Sequence, residues 1–331
     1  MGEFRTVIKL QESDIKISYD STLLFVGSCF SDNIGNKFRE RRFRTEINPF
    51  GVLYNPESVK QDLEILLERK FFGEELLFEH LGLWQSFYHH SRFSGVDKKA
   101  VLDNINRNIS KGHEILKSVD LLFITFGTSW VYQYVDNGLV VANCHKLPAS
   151  KFKRFRLSVE DIVESYGGLI TKLKEFNRNL KIVFTVSPVR HLKDGAHGNQ
   201  LSKSVLLLAV EELAEKHDEV FYFPAYELVM DDLRDYRFYA EDMVHPGSLA
   251  VEYIWERLSE VYLDKKAKAF VKEMDKVIKA ARHRPFNKNS KDYQRFVENT
   301  LVRLNEIKKQ FKGAIVEEDI KVFERKTSRQ L

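Results

Sequence analysis

Five short predicted strands alternate with amphipathic segments along the first two thirds of the chain, and this alternation is the feature that most limits the fold. The predicted strands lie at residues 23–27, 43–47, 121–126, 181–186 and 220–223, and all but the second are mainly apolar. The segments between them carry apolar residues at helical spacing. Strands and helices that alternate in this way form a parallel sheet with right-handed crossovers, and ligands bind at its carboxyl edge.

The composition is that of a globular protein with one main domain. The 331 residues are 43% apolar, which is enough for a sizeable core. The net charge is only +4, so no overall positive field points to nucleic acid as a partner. No apolar run is long enough to span a bilayer and no signal peptide is evident, so we expect a cytoplasmic protein. Residues 1–6 match the loose myristoylation pattern, which we set aside because such short matches arise by chance.

The first apolar run ends in a turn that carries two small nucleophiles. Residues 23–35 are predicted to form a buried strand, a tight turn and a helix start, with Ser28 and Cys29 at the turn. Unpaired N–H groups at a helix start favour an anion, so this position suits a nucleophile and its oxyanion hole. The alternative is an ordinary turn with a buried structural cysteine. Cys29 and Cys144 are too few for a disulfide framework, so free thiols are expected.

Polar side chains also follow the other predicted strands, at the same edge of the sheet. The planar guanidinium of Arg190 suits a carboxylate, a phosphate or sugar hydroxyls, and the alternative is a salt bridge to Asp194. The residues predicted to bind substrate are Asn48, Ser187, Arg190 and His191.

An aspartate and a histidine near the end of the predicted sheet complete a possible relay. Asp242 lies three residues before His245, so one turn presents both side chains to the same pocket. In such a relay the imidazole takes the proton of the nucleophile, and the carboxylate orients the imidazole.

Four motifs together resemble the GSCFA-domain family, which is allied to the SGNH (GDSL-type) hydrolases. They are Gly27-Ser28-Cys29-Phe30-Ser31, Asn48-Pro49-Phe50-Gly51, Ser187-Pro188-Val189-Arg190-His191 and Asp242-Met243-Val244-His245-Pro246. The match spans roughly residues 20–260. The resemblance implies an α/β fold, a three-layer α/β/α sandwich with a flavodoxin-like parallel sheet, and ester hydrolysis or acyl transfer. It implies no particular substrate.

The resemblance also implies roles for single residues. Cys29 stands where the superfamily has its serine, and Ser28 stands at the preceding aspartate. The amide of Gly51 and the hydroxyl of Ser129 are expected in the oxyanion hole, where Ser129 replaces an asparagine. The expected catalytic residues are Cys29, Asp242 and His245, with Ser28 as the alternative nucleophile.

A cysteine in place of the serine changes the expected chemistry. A thiol at a helix N-terminus beside histidine is predicted to have a lowered pKa, which makes an acyl-thioester donor plausible. The expected substrate is a small-molecule or glycan ester, and no cofactor is expected. One alternative is acyl transfer onto or off a glycan. Another is a non-catalytic module that binds a glycan or an acylated ligand in the same pocket.

Several histidines raise the alternative of a metal site. The segment 73–95 is crowded with aromatic and histidine side chains and is predicted to be either a pocket wall or part of the core. No histidine pair has the spacing of a zinc hydrolase, so no metal is expected. The histidines considered are His80, His89, His90, His191 and His197.

The remaining predictions concern insertions and the domain boundary. Asn137-Gly138 predicts a hairpin over residues 131–142, and the basic segment 146–156 is predicted to be a solvated loop or an anion contact. Residues 1–262 are predicted to form the α/β domain. Residues 263–331 are predicted to form a helical extension, split near residues 283–286, with the last twenty residues frayed.

Overall fold

A five-stranded parallel sheet forms the centre of the computed structural model, which describes residues 6–328. The myristoylation pattern, with its acceptor Gly2, therefore lies outside the described residues. The strands are β1 (Thr22–Gly27), β2 (Arg44–Ile47), β3 (Phe78–His80), β4 (Leu83–Gln85), β5 (Leu121–Phe126), β6 (Trp130–Tyr134), β7 (Val140–Val141), β8 (Phe152–Arg156), β9 (Lys181–Val186) and β10 (Val220–Tyr222).

Ten α-helical segments surround the strands. They are α1 (Cys29–Glu40), α2 (Pro56–Glu68), α3 (Lys98–Leu116), α4 (Val159–Phe176), α5 (Gly195–Lys216), the short α6 (Ala225–Glu227), α7 (Ser248–Tyr262), α8 (Lys265–Arg282), α9 (Lys291–Gln310) and α10 (Glu317–Ser328) in the described part of the chain. Their starts follow from local chemistry. Asn55 caps α2 ahead of Pro56, and Ser158 forms a capping box with Asp161 at the start of α4.

The strand order of the sheet is β10-β9-β5-β1-β2, and all neighbouring pairs are parallel. If these five strands are renumbered 1 to 5 in chain order and the sheet is read from β2 to β10, the order is 2-1-3-4-5, which is the flavodoxin-like order. Leu24 and Val26 of β1 face a core shared with α2 to α5, whereas Leu23 and Phe25 face a second core shared with α1 and α7 to α10. The predicted three-layer α/β/α architecture is therefore confirmed.

Smaller sheets flank the edge that carries the polar loops. The predicted hairpin is present as β6 and β7, which are antiparallel. The segment 146–156 is not wholly a loop, because β8 (Phe152–Arg156) pairs with the other side of β6. Residues 78–85 form the β3–β4 hairpin, and His89 is buried against Phe50 with a ring-centroid distance of 4.4 Å.

The C-terminal helices join the second core. Arg42 makes two hydrogen bonds of 2.6 Å to Asp319, and Arg41 pairs with Asp275 at 2.7 Å. The prediction of a frayed end over the last twenty residues is wrong for the part described, because α10 is helical and its Phe323 is only 1% exposed. The division of the chain at residue 262 stays a prediction. No helix within residues 6–328 is both long and apolar enough to cross a membrane.

Candidate active site

The β1–α1 junction is a tight turn that presents Ser28 and Cys29. Gly27 has a φ of +121°, and a Cβ at this position would lie 2.1 Å from the carbonyl oxygen of Thr125, so a glycine is required. Ser28 is the N-cap of α1. Its hydroxyl accepts a hydrogen bond of 3.3 Å from the N–H of Phe30, and the residue is only 1% exposed. Ser28 is thus occupied in capping the helix.

Cys29 is the first residue of α1 and is partly buried. Burial, followed by the charge of Asp32, raises the pKa of its thiol, although the backbone N–H groups of Cys29 and Phe30 and the charge of Lys203 act in the opposite direction. The lowered pKa predicted from the sequence is therefore wrong for the free protein. Removal of the thiolate from water outweighs the helix N-terminus.

Asn48, directly after β2, forms side-chain hydrogen bonds to the end of β1 and to α1. Its Oδ1 accepts a hydrogen bond of 2.8 Å from the N–H of Gly27, and its Nδ2 donates one of 2.6 Å to Asp32. Its carbonyl oxygen accepts the N–H of Gly51 at 2.8 Å. The amide of Gly51, expected in the oxyanion hole, is thus already engaged, and Asn48 is a buried structural residue.

Ser129 and Ser187 are also buried in the scaffold, in contrast to their expected places in the site. The hydroxyl of Ser129 donates a hydrogen bond of 3.0 Å to the Ser202 hydroxyl, which also accepts the N–H of Ser129 at 2.8 Å. The hydroxyl of Ser187 accepts the N–H of Val189 at 3.3 Å. Neither Ser129 nor Ser187 lines the cavity described below.

Asp242 and His245 form a pair in one exposed turn. Asp242 Oδ2 lies 2.6 Å from His245 Nδ1, while Oδ1 accepts the N–H groups of Val244 and His245 at 3.0 Å each. The two backbone N–H groups, followed by the imidazole, lower the pKa of Asp242 to about 2. The carboxylate therefore holds the proton on Nδ1 and leaves Nε2 as the nitrogen that can take a proton. Within residues 6–328, no hydrogen bond joins His245 to Cys29.

A cavity of about 440 Å³ lies beside this pair. Tyr54 lies between the cavity and the β1–α1 junction. Burial raises the pKa of its phenol most, and the charge of the nearby Cys29 thiolate raises it further. Three of the residues predicted for the site line the cavity, namely Arg190, His191 and His245. Other lining residues, which the sequence analysis did not assign to the site, include Tyr54, Trp130, Tyr132, Cys144, Arg154, Lys193 and Asp194.

Arg190 lies in this cavity without a carboxylate partner in the described part of the chain. Its Nε is buried and makes no hydrogen bond, and its Nη1 lies 3.6 Å from the sulfur of Met230. The predicted alternative, a salt bridge to Asp194, does not form, because Asp194 makes two hydrogen bonds of 2.5 Å to Arg154. The guanidinium therefore has no carboxylate partner among the described residues, and the Tyr239 phenol is close enough to hydrogen-bond to it.

His191 is a neutral imidazole on the same wall. Burial, then the charges of Lys203 and His245, lower its pKa to about 4. Its Nε2 is buried without a partner, and its ring lies edge-on to Tyr54 at 6.0 Å. His89, in contrast, is a core histidine whose pKa burial lowers to about 3. Among the described residues, no group of three or more His, Cys, Asp or Glu side chains is placed to hold a metal ion.

Lys203 is a residue near the site that the sequence analysis missed. It projects from α5 into the core and is only 1% exposed. A signal was available, because Lys203 recurs at helical spacing with the apolar Leu206 and Val210 and therefore lies on the buried face of α5.

Comparisons with known proteins give two matching family models and several solved structures of distant similarity. The model of the GSCFA family matches residues 22–258, and that of the GSCFA domain protein, C-terminal domain, matches residues 274–329. No curated protein matches the chain. Two solved structures are similar at TM-scores of 0.36, and each aligns over 73% of this chain. One, provisionally named a platelet activating factor, is from Streptococcus pneumonia (13% identity, 83% of that chain). The other is an acetyl xylan esterase, Est2A, from the rumen bacterium Butyrivibrio proteoclasticus (12% identity, 63% of that chain).

Proposed function

Because the chain belongs to the GSCFA family, we propose that it is an SGNH-like ester hydrolase or acyltransferase in which Cys29 is the nucleophile and Asp242 and His245 relay its proton. The observation that carries the proposal is the Asp242–His245 hydrogen bond of 2.6 Å, with His245 on the wall of a cavity that is also lined by Tyr54, a neighbour of Cys29. A carboxylate that holds the proton on one imidazole nitrogen and leaves the other free is the arrangement that a proton relay needs.

The proposed reaction has two steps. His245 Nε2 takes the proton of the Cys29 thiol, the sulfur attacks the acyl carbonyl carbon, and the electron pair of the C=O bond moves to its oxygen. When the tetrahedral species collapses, the ester oxygen leaves with the proton from His245 and an acyl-thioester stays on Cys29. Water or an acceptor hydroxyl then releases the acyl group by the reverse path. Substrate binding must bring Cys29 and His245 within reach, because catalytic hydrogen bonds often form only in the complex.

The oxyanion hole is proposed to lie at the N-terminus of α1. The amides at the start of a helix have no partner within the helix and carry partial positive charge. The amide of Cys29 already faces its own sulfur, as its effect on the thiol pKa indicates. In this proposal the amide of Cys29 takes the oxyanion-binding role expected of Gly51, because the N–H of Gly51 donates to the carbonyl oxygen of Asn48.

The lining of the cavity supports a glycan ester or a small-molecule ester that also carries a negative charge. Tyr54, Trp130 and Tyr132 line the cavity with aromatic rings, which suit the C–H faces of sugars or an acyl chain, and the Arg154 guanidinium already covers one face of Trp130. Arg190 offers a guanidinium without a described carboxylate partner, and its Nε makes no hydrogen bond, so it suits a carboxylate, a phosphate or sugar hydroxyls. An acyl-thioester donor is the second form of the proposal, and a cytoplasmic location stays a prediction.

The test compares variants on p-nitrophenyl esters and acyl-thioesters. We expect Cys29→Ala and His245→Ala to reduce kcat/KM by about 10³-fold or more, because members of a relay fail as a unit. Ser28→Ala should cost at most about tenfold, since it removes only a helix cap worth about 1 kcal/mol. The matched control is Ser204→Ala, which removes an exposed hydroxyl of α5 that does not line the cavity. Retained turnover in Cys29→Ala, or labelling of Ser28 by a fluorophosphonate, contradicts the proposal.

A second candidate function is a non-catalytic module that binds a glycan or an acylated ligand. It is favoured by the raised pKa that burial gives Cys29 and by the engagement of both expected oxyanion donors, Gly51 and Ser129. In that case all variants are inert in every ester screen. Calorimetry then detects glycan binding that Arg190→Ala weakens and Cys29→Ala leaves unchanged.

A further inference from the structure

The positive charge of the chain is concentrated in residues 263–331. This segment holds 19 of the 52 Lys and Arg residues but only 10 of the 48 Asp and Glu residues, which gives it a formal charge of +9. The preceding residues therefore carry −5, although the whole chain carries only +4. Such an asymmetry is typical of a segment that binds an anionic partner.

The excess of positive charge is greatest around the α8–α9 loop, which is formed by residues 283–290. Residues 276–291 contain six Lys and Arg residues and no Asp or Glu. Two of the six pair with carboxylates of α8 and α1. Arg284 is exposed and makes no hydrogen bond or ion pair with the described residues. Because like charges repel one another, an anionic ligand would stabilise this loop.

A cavity of about 560 Å³ lies beside the loop. α10 contributes Lys326 to it, whose Nζ lies 4.4 Å from the centre of the Phe323 ring. Burial lowers the pKa of Lys326, and no carboxylate pairs with it in the described part of the chain. The other basic lining residues are His283, Arg284 and Lys288, and no Asp or Glu lines the cavity within the described structure. Positive charge from two elements thus converges on one space.

Phe286 lies near the middle of the same loop with its ring in water. Its exposure is 112%, the highest of any large hydrophobic residue in the described chain. Arg284 and Lys288 flank it at a spacing of two residues. An exposed aromatic ring beside cations fits the interface of an anionic membrane, where the ring can enter the apolar region while the cations bind lipid phosphates.

We propose that the α8–α9 loop binds the surface of a membrane that contains anionic phospholipid. The Phe286 ring enters the apolar boundary of the bilayer, and a lipid phosphate occupies the basic cavity, where Arg284 and Lys326 balance its charge. A nucleic acid fits less well, because it needs a basic groove along which several rings stack on successive bases. Here the cavity is confined to one loop and its neighbours, and a single ring stands free beside it.

The loop lies at the other end of α1 from the candidate nucleophile. Arg282, directly before the loop, pairs with Glu40, the last residue of α1, at 3.0 Å. Cys29 is the first residue of this helix, so about 18 Å of helix separates the two ends. Docking uses no residue of the candidate active site, and the inference is therefore independent of the proposed function.

Sedimentation of the full chain with lipid vesicles tests the proposal. Vesicles of phosphatidylcholine with one fifth phosphatidylglycerol are compared with vesicles of phosphatidylcholine alone. We expect binding to the anionic vesicles only, with release at about 0.5 M salt because salt screens the phosphates. Absence of binding to the anionic vesicles overturns the proposal. Binding of inorganic phosphate alone, or of a single-stranded RNA alone, also overturns it and assigns the cavity to a soluble phosphate or to nucleic acid.

Single variants locate the contact. We expect Arg284→Gln to weaken vesicle binding about fivefold, as the loss of one cation near the surface predicts. Phe286→Ala should also weaken it about fivefold, because the inserted ring is lost. The matched controls are Arg178→Gln and Phe71→Ala, which change exposed residues outside the loop and should leave binding unchanged. Equal losses in the controls, or no loss in the loop variants, overturn the proposal.

A tryptophan at the loop tests insertion directly. In Phe286→Trp, vesicles with brominated acyl chains should quench the emission that the new indole adds. Phe71→Trp is the control, because its indole is also exposed but lies outside the loop. Quenching that is no greater in Phe286→Trp than in Phe71→Trp overturns the insertion of the ring.

Discussion

Asp62 is a carboxyl group buried without any hydrogen-bond partner. It lies on α2, is only 2% exposed, and neither carboxyl oxygen is bonded in the described structure. Burial alone raises its pKa well above the usual value. The residue therefore destabilises the fold whenever the unfolded chain carries the ionised form.

We expect Asp62→Asn to stabilise the protein by roughly 1–3 kcal/mol at pH 7.5. The native state binds the Asp62 proton more tightly than the unfolded state does. The contribution of Asp62 to stability should therefore be most favourable below about pH 4 and fall as the pH rises toward the folded pKa. Urea unfolding at pH 4 and pH 7.5 measures the difference, which should be small at the lower pH.

The control for this prediction is Asp103→Asn, which changes an exposed carboxylate on α3. It should leave the free energy of unfolding within about 0.5 kcal/mol of the wild type. A gain for Asp62→Asn that is equal at both pH values would show that ionisation of Asp62 has no part in it.

At the scale of single elements, glycines have opposite effects in the β1–α1 turn and in α4. Position 27 accepts only glycine, because its φ is positive and a Cβ there would clash with the backbone of Thr125. A Cβ at Gly168, inside α4, would meet nothing within 4 Å. We expect Gly27→Ala to destabilise the protein by more than about 3 kcal/mol. Gly168→Ala should stabilise it by about 0.5–1 kcal/mol, because alanine loses less entropy in a helix.

Thermal unfolding of the two alanine variants checks this pair. The Tm should fall in Gly27→Ala and rise slightly in Gly168→Ala. Equal shifts in both would mean that the turn adapts to a side chain.

The parts of the fold that depend on local pattern could be predicted from the sequence. The five strands of the central sheet, the hairpin at Asn137-Gly138 and the helix starts all follow from periodicity and turn residues. Segment 152–156 was harder, because its basic residues suggested a loop. As strand β8 it places the Arg154 guanidinium over the Trp130 ring at 4.1 Å.

Much of the candidate site could not be predicted, because its hydrogen bonds join residues that are distant in the sequence. The N–H of Ser129 donates a hydrogen bond to the hydroxyl of Ser202, which is 73 residues away in the sequence. The carbonyl oxygen of Gly127 accepts one from Lys203, which is 76 residues away. The Asp242–His245 pair could be predicted because one short turn makes it. Sequence reasoning therefore finds local pairs and misses the partners that α5 brings to the strand ends.

At the scale of the whole molecule, the C-terminal helices act as part of one core. Phe323 on α10 is 1% exposed, whereas its neighbour Val322 is exposed. We expect Phe323→Ala to lower the free energy of unfolding by about 3–5 kcal/mol within a single transition. Val322→Ala should change it by less than about 0.5 kcal/mol.

Urea unfolding followed by two probes, near-ultraviolet circular dichroism and tryptophan fluorescence, measures this effect. Coincident curves are expected, because α1 and α8 to α10 share apolar contacts. A separate early transition in Phe323→Ala would instead support a C-terminal unit that begins after residue 262.

The hydrogen bonds between Arg42 and Asp319 join residues that are 277 positions apart. During synthesis, α1 leaves the ribosome long before α10 exists, so the contact of Arg42 with Asp319 cannot form while most of the chain is made. Phe38 and Phe43 likewise lack their ring contacts with Trp255 and Phe270 until α7 and α8 emerge, and such uncovered apolar surface favours aggregation. The packing at the C-terminal end of α1 is therefore completed only near the end of synthesis.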